Sequence, residues 1–156
     1  MSTATHHLTE IRAGNLRYLA LVLAAVGLFI SGYLSYVEIT DTSAICVESS
    51  TFNCDLVQSS IYSEIMGIKI AYLGVVTYLL LGVLLLVEDR IPLLHEYGPV
   101  LIFGITLFGF LYSVWLVYVQ AFRLEAFCPW CLGQELAMTL LFIISSLRLR
   151  QALQSN

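Results

Sequence analysis

Charged side chains make up only 12% of the 156 residues, against 59% hydrophobic ones. Soluble domains carry about 25% charged and roughly 45–50% apolar residues, so this scarcity excludes an ordinary water-soluble globule. A mean hydropathy of +0.87 points the same way. The chain also lacks a basic cluster and has a formal net charge of −4, which leaves no surface for nucleic acid. It has neither an internal repeat nor the paired interrupted spans of a secondary transporter. Cysteine is absent everywhere except in two pairs, 46 with 54 and 128 with 131.

What is present is a series of long uncharged runs. A spanning helix needs about 20 apolar residues to cross roughly 30 Å of hydrocarbon. Four runs qualify, at about 18–37, 70–87, 98–122 and 129–147. The expected fold is therefore all-α: a single four-transmembrane-helix bundle over residues 1–156 with a long first loop. The first run is longer than a signal-peptide core and ends in Tyr33-Leu34-Ser35-Tyr36 without a small-residue cleavage site, so it reads as a retained helix. Gly27, Gly32, Gly74, Gly82, Gly104 and Gly109 are expected points of close helix contact. The polar tail to Gly14, with its His6-His7 pair, reads as a solvated stretch.

Orientation follows from Lys and Arg alone, because acidic residues contribute little to the positive-inside rule. Arg12, Arg17, Arg90, Arg148 and Arg150 fall on the side of the termini and second loop, whereas the first and third loops hold only Lys69 and Arg123. This bias predicts both termini in the cytoplasm and all four cysteines outside it. In the first loop, apolar residues at 56, 57, 61, 65 and 66 predict a short amphipathic helix at the interface, broken at Gly67.

Two cysteine pairs facing one oxidising compartment point to disulfide chemistry. Cys128-Pro129-Trp130-Cys131 opens the last span, where unpaired N–H groups and the helix dipole favour a thiolate. Cys46 and Cys54 lie in the long loop, which is expected to be flexible enough to carry a thiol to the second pair. Such an arrangement suits a relay between a protein in solution and a lipid-soluble oxidant, proceeding through mixed disulfides. Two alternatives use the same residues: four thiols on one zinc ion, or two inert staples in a scaffold or binding protein. Neither explains why one pair sits at the membrane boundary, and no metal is expected.

At these residues the chain resembles the vitamin K epoxide reductase family, specifically its bacterial members that regenerate disulfide-forming proteins. The matching elements are the four spans, the Cys46-x7-Cys54 pair, the run Cys54-Asp55-Leu56-Val57-Gln58-Ser59-Ser60, and Cys128-Pro129-Trp130-Cys131-Leu132. Together they cover about 19–147. The resemblance implies a thiol:quinone oxidoreductase of the bacterial inner membrane. A thioredoxin-like disulfide oxidase delivers electrons through Cys46, Cys54 then attacks Cys128, and the freed Cys131 reduces ubiquinone or menaquinone. Ser60 matches a family serine near the quinone. Many members carry a fused thioredoxin-like domain; this chain ends at Asn156, so its partner is expected to be a separate polypeptide. Ile70 stands where the animal enzymes have a ring-binding asparagine, so an ordinary quinone is expected rather than the epoxide. Another four-helix disulfide generator of bacteria has its CxxC near the first helices, the reverse of the order here.

Two further residues enter from position. Glu135 lies one turn beyond Cys131 on the same helix face, an ionisable group at membrane depth suited to proton transfer or to a bond with a quinone carbonyl. Phe108, Tyr112 and Trp115 form a stripe on the third span that reads first as core, with Tyr112 the candidate quinone contact through its hydroxyl.

Overall fold

A computed structural model describes residues 2–46 and 49–155, with side chains described from 14 to 154 outside that gap. The His6-His7 pair and Arg12 therefore lie outside the residues whose side chains are described. Among the described residues there are five α-helices: α1 (Ser2–Ile39), α2 (Cys54–Gln58), α3 (Ile70–Val87), α4 (Pro92–Val119) and α5 (Pro129–Ser155). Four of them contain stretches long and apolar enough to cross a membrane: Gly14–Ile39, Ile70–Val87, Pro92–Leu124 and Pro129–Gln154.

The spans extend beyond the expected limits of the first, third and fourth runs, and the reasons are local. Nothing before Arg17 breaks a helix, so α1 continues back through the polar tail. Pro92 supplies the pre-set φ of a first helical residue, and Ile91 before it is extended at φ −115°, so α4 starts earlier than 98. Charges at Arg148 and Arg150 do not end α5, because a helix can leave the hydrocarbon without unwinding.

The expected amphipathic helix over 56–66 is replaced by three shorter pieces. Asn53 caps α2 by accepting from the Leu56 N–H at 2.9 Å, and the Ser59 and Ser60 hydroxyls donate back to the Asp55 and Val57 carbonyls. These bonds compete with helix propagation and end α2 at Gln58. A 3-10 turn at Ile61–Ser63 follows, then a hairpin of β1 (Glu64–Ile65) and β2 (Ile68–Lys69), with Glu64 opposite Lys69. Met66 and Gly67 both have positive φ, 53° and 82°, the requirement for a type I′ turn.

α1 packs against α3 and α5, and α4 packs against α5. Tyr78, Leu81 and Leu85 of α3 join Ala20, Ile102, Met138 and Leu141 in the main buried cluster. The outer faces of α3 and α4 carry Val76, Leu79, Leu80, Val83, Val100, Leu111 and Val114 exposed, as lipid contact requires. Of the six glycines expected at helix contacts, Gly27 lies against the Tyr78 ring, Gly74 against Gln134 and Gly109 against Met138. Gly32, Gly82 and Gly104 face open space and are not contact points.

A charge network closes the end of the bundle away from the cysteines. Glu88 at the end of α3 is 5% exposed and pairs with Arg17 of α1 at 3.5 Å and with Arg148 of α5. Arg17 also pairs with Asp89 and donates to the Leu85 carbonyl at 2.8 Å. Three helices are thereby tied at one point.

Candidate functional site

All four cysteines meet at the opposite end. Cys54 and Cys128 are buried together with Val37, Ala44, Val57 and Ala126, and Cys46, Cys131, Tyr33 and Trp130 pack around them. Cys46 and Cys54 form a disulfide with Cα atoms 6.3 Å apart, while Cys128 and Cys131 are free thiols.

Backbone pairing registers the two cysteine segments. Asn53 donates to the Phe127 carbonyl at 3.1 Å and Phe127 donates to Thr51 at 2.9 Å, forming a bridge between Phe52 and Phe127. Cys54 and Cys128 are the next residues on each side of this pairing. Further along, the Trp130 indole donates to the Ile45 carbonyl at 2.9 Å, and Ile45 donates to the Tyr33 hydroxyl at 3.0 Å. Tyr33 and Trp130 rings lie 4.6 Å apart. The loop expected to swing freely is thus stitched to the helix start at both of its cysteines.

Cys128 occupies the N-cap of α5. Pro129 follows as the first helical residue, Leu132 donates to the Cys128 carbonyl at 2.9 Å, and the Cys131 N–H points to the Cys128 sulfur at 3.4 Å. A sulfur here takes the place of the Ser or Thr oxygen that ordinarily satisfies this N–H. The hydrogen bond from the Cys131 thiol, joined by those from the Cys131 and Trp130 N–H groups, lowers the Cys128 pKa despite burial. Of the two thiols, Cys128 is thus the one whose ionised form is favoured.

The end of α4 supplies a residue that the sequence reading passed over. The last turn of the span, Gln120–Leu124, is a π-helix closed by Glu125 in the left-handed region at φ 49°. Such wide turns recur at functional sites. Gln120, 3% exposed, accepts from the Cys128 N–H through Oε1 at 3.1 Å and donates through Nε2 to Glu135 Oε1 at 3.0 Å. Glu135 is 7% exposed, and its other oxygen, Oε2, is buried with no hydrogen-bond partner. A polar side chain inside an otherwise apolar run was the available signal for Gln120.

A cavity of about 710 Å³ opens between α3 and α4 beside this network. Its lining includes Ser60, Tyr112, Cys131, Glu135 and Gln120. Cys46, Cys54 and Cys128 do not line it. Phe108 and Tyr112 face the cavity, whereas Trp115 is half exposed and stacks near Tyr118, so the aromatic stripe is wall and lipid face rather than core. The Ser60 hydroxyl donates to the Val57 carbonyl at 2.8 Å while its residue borders the cavity, combining a backbone role with a place at the site.

Two ties hold the loop over the cavity mouth. Lys69 pairs with Glu38 at 2.7 Å, and this carboxylate raises the Lys69 pKa above the ordinary lysine value. Arg123 donates to the Tyr62 hydroxyl at 3.2 Å. Glu38, Tyr62 and Lys69 all border the cavity.

Comparison with known protein families matches residues 18–146 to the vitamin K epoxide reductase family. That match spans all four membrane helices and both cysteine pairs, and the chain belongs to the vitamin K epoxide reductase family.

Proposed function

We propose that this protein is a thiol:quinone oxidoreductase that reoxidises a thioredoxin-like disulfide-forming partner outside the cytoplasm. Family membership carries the coarser part: a membrane oxidoreductase working between protein disulfides and quinones. The observation that carries the finer part is the stitched junction of the two cysteine pairs, with Cys131 alone of the four bordering the apolar cavity.

In this reading the partner's thiolate attacks Cys46, breaking the Cys46–Cys54 disulfide and releasing Cys54. The partner's second thiol resolves the mixed disulfide. Cys54 attacks Cys128 of the oxidised inner pair, freeing Cys131, and Cys46 then closes on Cys54 to regenerate the outer disulfide and leave Cys128 as a thiolate. A bound quinone accepts two electrons and two protons, restoring the Cys128–Cys131 disulfide. In this reading an outer disulfide with an inner dithiol is the state that immediately precedes quinone reduction.

The cavity suits such an acceptor. Small-molecule sites run roughly 300–1,000 Å³ and are mostly apolar with a few convergent polar groups. Here Leu73, Ile105, Phe108 and Leu116 supply apolar wall, and Ser60, Tyr112 and Glu135 supply the polar groups. The unpartnered Glu135 oxygen is available for proton exchange beside Cys131. Ubiquinone and menaquinone are the acceptors proposed, in a bacterial cytoplasmic membrane with both termini inside.

The test is reconstitution of the purified chain in lipid with ubiquinone and menaquinone analogues, following oxidation of a reduced thioredoxin-like protein. The expected result is turnover by the wild type and none by a Cys131→Ala protein that retains its fold. Undiminished quinone reduction in that variant would overturn the proposal. Sidedness is checked separately: a membrane-impermeant thiol reagent should reach the reduced cysteines from the outer face of intact cells.

A further inference from the structure

Gln120, in the turn after α4, bridges the Cys128 N–H and the Glu135 carboxyl group of the cysteine helix, and its orientation is dictated by elementary donor and acceptor chemistry. A backbone N–H only donates, so the Gln120 atom 3.1 Å from the Cys128 nitrogen must be the amide oxygen. The amide nitrogen is then the atom facing Glu135 at 3.0 Å. That nitrogen also only donates, so Glu135 Oε1 must accept, a role the carbonyl oxygen of a protonated carboxyl fills better than its hydroxyl oxygen, which leaves the hydroxyl to Oε2. Both bonds are buried, where an unmade hydrogen bond costs about 1–3 kcal/mol, so the arrangement does not flip readily.

From this geometry we infer that Gln120 is a positioning residue: it confines the exchangeable proton of Glu135 to Oε2, the oxygen left unpartnered in a residue that lines the cavity. The inference rests on the quinone reading of that cavity. During quinone reduction the Cys128–Cys131 bond forms, two electrons leave the sulfurs for the quinone, and the one proton of the thiolate–thiol pair, that of Cys131, is passed on. Glu135 releases its Oε2 proton to the acceptor and recovers the Cys131 proton. The net balance is thiolate–thiol pair plus quinone plus one proton from solvent giving disulfide plus hydroquinone, with Glu135 returned to its starting form. Because the same amide holds the Cys128 N–H, the proton-bearing oxygen and the start of α5 are fixed relative to each other.

The first readout needs no quinone. Infrared spectra of the whole protein in lipid, at acidic pH, contain a carboxyl C=O band assigned to Glu135 by its loss in Glu135→Gln. In Gln120→Leu that band should move to higher frequency, because the carbonyl Oε1 has lost its donor; an unmoved band overturns the inference. The second readout is a mutant cycle on quinone reduction. Gln120→Leu should lower kcat about tenfold with the KM for the dithiol protein unchanged, and the same replacement in a Glu135→Gln background should change kcat less than about twofold. Equal losses in both backgrounds overturn the inference, since a structural defect would act on either. Gln120→Met, close to the original in length, serves if the leucine variant does not fold. A wild type that reduces no quinone sinks the reading of the cavity, while the infrared shift still reports on Gln120.

Discussion

Each end of this bundle buries a glutamate with one oxygen lacking a hydrogen-bond partner, and the two are held in opposite ways. Glu88 is clamped by the guanidinium groups of Arg17 and Arg148, which tie α1, α3 and α5 together. Glu135 is held by a neutral amide alone and borders a cavity. A carboxylate with two cationic partners has the charge compensation that burial demands. One with a neutral donor and a thiol pair nearby has no such compensation. The same residue type thus serves as a fastener at one end and as a candidate proton carrier at the other.

The largest expected effect lies wholly at the cysteine end. Cys54→Ala should cut oxidation of the dithiol partner by on the order of a thousandfold or more, because the route from the outer pair to Cys128 is lost, while thermal stability falls far less. Partner oxidation at the wild-type rate would mean that the stitched junction is not the electron path.

Glu88→Ala is the matching change at the other end. It takes the carboxylate from the Arg148 guanidinium, whereas Arg17 keeps Asp89 and the Leu85 carbonyl, so the loss should lie near the lower end of the usual range for a broken buried pair, about 3 kcal/mol. Thermal unfolding in detergent reads that loss, and the protein that remains folded should turn over normally. Glu135→Gln should reverse the pattern, with stability nearly unchanged and quinone reduction down about a hundredfold, as expected for a lost general acid. If Glu88→Gln slowed turnover as much as Glu135→Gln, the contrast between the two ends would fail.

How much of this was readable beforehand differs between the same two ends. Apolar run length dictates the four spans, because it is a sum over many residues. Span ends were less legible: Arg148 looks like a stop, yet its guanidinium pairs with Glu88 and α5 continues to Ser155. The 56–66 segment carries helical periodicity, but Ser59 and Ser60 bond to backbone carbonyls and Met66-Gly67 turns the chain, so local hydrogen bonding overrides the pattern. The CxxC motif marks its own chemistry at a helix start. Gln120 shows in the sequence only as a polar residue in an apolar run; its partners do not, because the contacts cross 15 residues to Glu135 and 8 to Cys128, through a π-helical turn that no period announces.

The smallest effect expected concerns the sulfur that begins α5. Cys128 titrates below the ordinary thiol range chiefly because the Cys131 thiol donates to it. Cys131→Ala removes that donor and leaves only the backbone N–H groups, so thiolate absorbance of the Cys128 sulfur should appear at higher pH than in reduced wild type. The sign carries over to stability. A thiol whose folded pKa lies below its unfolded value of about 8.5 favours the fold fully above that pH, and the contribution disappears as pH falls through the folded value. Reduced wild type should therefore gain stability between neutral and mildly alkaline pH relative to Cys131→Ala, measured as the difference in unfolding midpoint in each buffer. A gap that stays constant across that range would mean that the helix start, rather than the neighbouring thiol, sets the state of Cys128.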